Sequence, residues 1–168
     1  NSFSRVCKQN ICKGLDKNYQ LEKCSDHTKL VELLTERYKG KGKTFSFNPL
    51  FLEELLHAFP DSCAIYYLCH NDERVSGILI TEYKNRIFCW HGLPKPREAG
   101  NTYANETLLW KLMEKAKLES FTAFEVCGAD TPEICSFRNK LNPQLELCFK
   151  LLKKDLIGAV AQKVMMFL

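Results

Sequence analysis

Residues 87–127 read strand, loop, helix, strand, and no other stretch restricts the fold as much. Ile87-Phe88-Cys89-Trp90-His91-Gly92 is rich in β-branched and aromatic residues, the composition of a strand. Pro94, Pro96 and Gly100 break the loop that follows. Ala104, Leu108, Leu109, Leu112, Met113 and Ala116 then recur at helical spacing, with Lys111, Glu114, Lys115 and Lys117 on the other face. Ala123-Phe124-Glu125-Val126-Cys127 reads as a second strand. Strands joined this way run parallel through a right-handed crossover. A loop opening onto a helix start is also a physical place for an anion, because free N–H groups and the helix dipole converge there. An ordinary crossover without a ligand gives the same pattern.

The rest of the chain supplies antiparallel neighbours. Residues 63–69 are almost wholly apolar, Asn71-Asp72-Glu73-Arg74 turns, and residues 75–81 return. Lys84-Asn85-Arg86 turns again into residues 87–91, so three strands form a meander. Residues 19–24 are a candidate first strand. Ser25 or Asp26 can cap a helix with Leu30, Val31, Leu34 and Tyr38 on its apolar face. Asn48-Pro49 starts another, with Leu52, Leu55, Leu56 and Phe59 as its buried stripe, and Thr131-Pro132 starts a short one. Residues 145–151 read as a last strand and 155–168 as a terminal helix. Residues 1–18 show little periodicity and are expected to be a lead-in, the end of a missing upstream region. The expected body is residues 19–154, and the expected class is mixed α/β (α+β). Its sheet is mainly antiparallel, flanked by helices, with one parallel pair that can splay to admit an extended ligand.

At 168 residues, 45% hydrophobic and 26% charged, the chain has the composition of a globular domain, not of a disordered segment. Its net charge of +4 is too mild to single out nucleic acid. Nine cysteines are an odd number, none forms a CxxC pair, and several sit in apolar strand-like runs, where a free thiol behaves as a small hydrophobe. Free thiols imply a reducing compartment, so the expected location is the cytoplasm, with no metal centre. Asn1 in place of a methionine suggests a fragment or a processed product.

The motifs Trp90-His91-Gly92, NTYANETLLW over residues 101–110, Phe124-Glu125-Val126-Cys127-Gly128 and Ser136-Phe137-Arg138 come in an order and spacing that resemble one family. It is the GNAT acyltransferase superfamily, and within it the FemAB/FemX-like branch. The resemblance implies an N-acyltransferase, moving an acyl or aminoacyl group from a CoA thioester (acetyl-CoA or another acyl-CoA) or from aminoacyl-tRNA to an amine acceptor. A catalytically silent binding domain is the alternative. It implies that the donor lies between the strands at 87–91 and 123–127, with its pyrophosphate on the loop before the helix. Arg97 and Gly100 stand where the superfamily's Arg-x-x-Gly-x-Gly/Ala loop has them. Thr102 replaces the second glycine, and its side chain hinders close approach of phosphate to the backbone. The branch usually has two such domains in tandem, and this chain has room for one.

Amine acylation needs a neutral nitrogen and a stabilised oxyanion. His91, at a strand end and with a suitable ordinary pKa, is one candidate base, and Glu125 on the facing strand is the other. Gly100, Asn101, Thr102, Tyr103, Ala104 and Asn105, with Arg97, are the candidate donor-binding loop. Trp90, Cys127 and Arg138 are candidate substrate contacts, Arg138 for a phosphate or carboxylate. Oligomeric state is not legible in the sequence, although the apolar 156–168 segment suits a dimer.

Overall fold

The computed structural model describes residues 3–42, 48–94, 99–128 and 131–147. Its elements are α1 (Arg5–Leu15), β1 (Gln20–Cys24), α2 (Thr28–Lys39), α3 (Pro49–Ala58), β2 (Cys63–His70), β3 (Glu73–Tyr83), β4 (Arg86–Gly92), a 3₁₀ turn (Ala99–Asn101), α4 (Ala104–Leu118), β5 (Ala123–Val126) and α5 (Pro132–Asn139). The five strands lie in chain order. β1 to β4 are antiparallel to their neighbours, and β4 and β5 are parallel. The mixed sheet with one parallel pair is thus the observed architecture.

Turn chemistry sets the meander. Asn71 and Asp72 have φ of 49° and 64°, and Lys84 and Asn85 have 47° and 62°. Paired positive φ values make two-residue turns whose twist matches the flanking strands, a role suited to Asn and Asp. β2 is apolar throughout because both of its faces are covered. Ala64, Tyr66 and Leu68 meet α1 and α4 through Ile11, Leu108, Leu109 and Leu112. Cys63, Ile65 and Tyr67 meet Leu30, Leu34, Leu52 and Leu56 of α2 and α3.

Several local expectations need correction. The stretch read as a lead-in contains α1, capped by Ser4, whose Oγ accepts from Cys7 N at 3.2 Å. Cys7, Ile11 and Gly14 form its buried face, and a Cβ on Gly14 would lie 1.8 Å from Thr107 Oγ1 of α4. The helices cross so closely there that only glycine fits. α2 begins at Thr28, not directly after a capping Ser25 or Asp26. Asp26 Oδ1 accepts from Thr28 N at 2.9 Å, while the buried Tyr67 hydroxyl accepts from Leu30 N at 3.0 Å and donates to Asp26 O at 2.7 Å. A side chain of β2 therefore satisfies a free N–H of the first helical turn. Tyr67→Phe leaves that amide and carbonyl unpaired and is expected to cost about 1–3 kcal/mol, measured by denaturant unfolding. Phe59 is not part of the buried stripe of α3 but lies 56% exposed past the helix end. Residues 145–147 form no strand, and Leu145 and Leu147 are exposed. The rest of that expected strand, the terminal helix and Cys148 lie outside the described residues.

Candidate active site

The parallel ladder between β4 and β5 runs from Arg86↔Ala123 to Cys89↔Val126 and ends there. β4 continues for three residues, held on its other edge by β3. The pairing steps from Ile80↔Cys89 to Leu79↔His91, so Trp90 is the extra residue of a β-bulge. Leu93 N donates to Gly77 O at 2.8 Å. Alternate peptide groups of β4 thus face β3, and those of Gly92 turn to the side where β5 has ended. The ladder stops here because Val126 is the last residue of β5, which leaves the end of β4 unpaired on that side by any described strand.

His91 pairs with Leu79, whose side chain lies in the α2/α3 core, and so shares that face of the sheet. It is half-buried, and burial pushes its imidazole below the ordinary 6.5, which keeps the ring neutral at pH 7. The Trp90 ring lies tilted against it, with centroids 5.4 Å apart. Glu125 stands opposite Phe88, deeper in the ladder. Its carboxylate pairs with Arg86 Nε at 2.5 Å, and Arg86 also holds Glu146 at 2.7 Å. His91 is three residues beyond Phe88, roughly 10 Å along the strand, so the two candidate bases are not brought together.

Arg138, from α5, donates to Val126 O at 2.9 Å and ties that helix to the last residue of β5. The half-buried Cys127 follows, making a weak S–H contact to Glu125 O at 3.9 Å. Burial pushes the thiol of neighbouring Cys89 far up, with Cys127 adding to the effect and Arg138 opposing it. A thiol held protonated in this way is a packing group, not a nucleophile.

The loop ahead of α4 is tied to the N-terminal part of the chain. Lys17 Nζ donates to Gly100 O, and the Tyr19 hydroxyl donates to Asn101 Oδ1 at 2.9 Å. Asn101 is buried, Thr102 is exposed, and Tyr103 lies 5.5 Å from Lys13 Nζ. Ala104 is buried, and the N-cap residues of α4 (Tyr103) and α2 (His27) make no side-chain cap bond, whereas Ser4, Asn48 and Thr131 cap α1, α3 and α5. Asn105 is spent internally. Its Nδ2 donates to Pro94 O at 3.0 Å and Leu93 O at 3.3 Å, and its Oδ1 accepts from Ser76 Oγ at 2.6 Å. Arg97 lies outside the described residues. Two residues of this corner had no motif to mark them: Ser76, and Arg37, whose Nη1 donates to Leu93 O at 2.5 Å.

A cavity of about 950 Å³ lies off the same end of the sheet, between α2 (Lys29, Leu33), β1 (Glu22), the β2–β3 turn (Asp72), the start of β3 (Glu73) and Asn101. Among the described residues no cluster of three or more His, Cys, Asp or Glu can hold a metal, and no helix is long and apolar enough to cross a membrane.

These features place the chain in a class. The family described as Acetyltransferase (GNAT) domain matches residues 7–133, and the chain belongs to it. Among solved structures it is similar to an aminoglycoside acetyltransferase from an uncultured soil metagenomic sample, at 13% identity and a TM-score of 0.58, covering 84% of this chain and 99% of that one. It is similar to ribosomal-protein-alanine N-acetyltransferase from Brucella melitensis biovar Abortus, at 13% identity and a TM-score of 0.60, covering 82% and 98%. FemX shares the fold at 11% identity and a TM-score of 0.62, over 83% of this chain and 53% of that chain. No match was found among curated proteins. At these identities the structures share the fold, and the family match, which begins at Cys7 within α1, defines the chain as containing a GNAT acetyltransferase domain.

Proposed function

We propose that the protein transfers an acyl group from a CoA thioester to an amine, with the donor lying where β4 leaves β5. The observation that carries this reading is the end of the β4–β5 ladder at Cys89↔Val126 beside an uncapped α4 N-terminus. The edge of β4 past the end of β5 offers Gly92 peptide groups to an extended pantetheine arm, and the helix start suits a pyrophosphate. Lys17 holds the Gly100 carbonyl and Tyr19 the Asn101 side chain, which fixes the loop for that contact.

His91 is the base we assign. It accepts the amine's proton, directly or through one water, as the C–N bond forms. The Gly92 N–H stabilises the oxyanion, and the C–S bond then breaks to release a thiolate, which takes its proton from the His91 imidazolium or from solvent. Glu125 is held by Arg86 and serves the ladder. In the same reading Trp90, at the bulge, flanks the acceptor. Cys127 and Arg138 shape the β5 side, and Arg97, which matches the family's phosphate-loop arginine in sequence, is assigned to the phosphates.

The motif order from Trp90 to Arg138 supports a FemAB-like relative within the family, and the cysteine-rich composition supports a cytoplasmic setting. The test is amine-dependent release of CoA from acetyl-CoA across primary amines. Release that requires the amine supports the reading. Strongly salt-dependent tRNA binding without any response to CoA moves the donor to an aminoacyl ester, and silence toward both makes this a non-catalytic binding domain.

A further inference from the structure

Leu93, the first residue past β4, has φ of 58°. Two local preferences oppose that conformation: its Cβ disfavours the left-handed region, and a following proline biases it toward extended backbone. Long-range bonds impose it instead. Its N–H is held by Gly77 O of β3. Its carbonyl accepts from Arg37 of α2 and from Asn105 of α4, two helices that cover opposite faces of the sheet. Asn105 also holds Pro94 O and is itself oriented by Ser76, which is fully buried in β3. With Ser76 fixing its Oδ1, the Asn105 amide is locked with its NH₂ toward the two carbonyls.

We propose that Ser76, Asn105 and Arg37 are positioning residues that hold the Leu93–Pro94 corner in its strained conformation, and thereby aim the Gly92 peptide groups at the acyl donor. The inference deepens the reading above and rests on it for the identity of the donor. Strain kept beside a functional edge by surrounding bonds is a form of preorganisation. Arg37 also joins α2 to the donor side of the sheet through Leu93.

Two readouts on Asn105→Ala and Arg37→Ala test this. The first, which needs no donor, is amide hydrogen exchange at Leu93. It is expected to quicken about tenfold or more in both variants and to return toward the wild-type rate when Leu93→Asn, which tolerates a left-handed backbone, is added. The second is the donor KM against the acceptor KM. The donor KM is expected to rise about tenfold with the acceptor KM unchanged, and Arg37→Lys, which keeps one donor toward the carbonyl, recovers part of the loss. Unchanged exchange at Leu93 overturns the proposal, as does an equal rise in both KM values. A wild-type protein that ignores CoA overturns the donor reading alone, and the exchange measurement then decides the clamp.

Discussion

His91→Asn is expected to lower kcat/KM for amine acylation by about 10²–10⁴-fold, the usual contribution of a positioned acid–base group. Asparagine keeps a polar side chain of similar size at the bulge but cannot take a proton, so the acyl donor should still bind. Burial holds the imidazole below its ordinary 6.5, so the acidic limb of the wild-type kcat/KM profile should lie below that pH and disappear in the variant. The sign for stability follows from the same shift. As pH falls through 6.5 the unfolded chain takes up a proton at His91 before the folded chain does. Stability from this group is therefore complete above 6.5 and is lost as pH falls toward the folded value. Glu125→Gln is the contrasting variant. Its carboxylate pairs with Arg86, so the expected loss is in stability, with kcat nearly unchanged. The reverse result, a silent His91 and an essential Glu125, would transfer the base role to the carboxylate.

Gly92→Ala is expected to have the largest effect on the fold near the site. A Cβ there would lie 2.5 Å from Gly77 O and from Ile78 Cα, and 2.7 Å from Ile78 Cβ. Two of those neighbours are backbone atoms of β3, which cannot rotate away as a side chain can. Either the ladder opens at the end of β4 or the strands shift apart. We expect a destabilisation of about 3 kcal/mol, which lowers the melting midpoint by roughly 6–12 °C for a domain of this size. The displaced edge carries the Gly92 peptide groups, so donor affinity should fall as well. Gly100→Ala is the control, because among the described residues a Cβ there meets nothing closer than Lys17 Nζ at 3.8 Å. Its midpoint should stay close to that of the wild type.

Much of this architecture was legible in the sequence because its signals are local. Asn71-Asp72 and Lys84-Asn85 mark the turns of the meander, Asn48-Pro49 and Thr131-Pro132 mark helix starts, and the stripe from Ala104 to Ala116 marks α4. α1 was missed because its buried face is carried by Cys7, Ile11 and Gly14, two of them small residues that give little apolar periodicity. The start of α2 was misplaced because Tyr67, 37 residues from Leu30 in sequence, supplies the hydrogen bond that a local cap would otherwise make.

At the site, the end of β4 and its histidine could be read from composition alone. The engagement of Glu125 by Arg86 depends on strand register, which spacing does not give. Asn105 looked like a donor contact because it opens a helix, yet its partners Ser76, Leu93 and Pro94 come from elements that only the folded sheet brings together. Arg37, 56 residues from Leu93, had no local signal at all.

The most direct test of the donor site is a thermal-shift titration with acetyl-CoA on the wild type and on Gly100→Ala. A ligand at about 100 times its dissociation constant adds about 2.7 kcal/mol, which raises the midpoint by several degrees. A saturable rise is expected in the wild type. In Gly100→Ala the same curve is expected at higher ligand concentration, because a methyl on the loop hinders the approach of phosphate to the backbone. No shift at millimolar acetyl-CoA, or a shift identical in the two proteins, would contradict a thioester donor seated on the loop before α4.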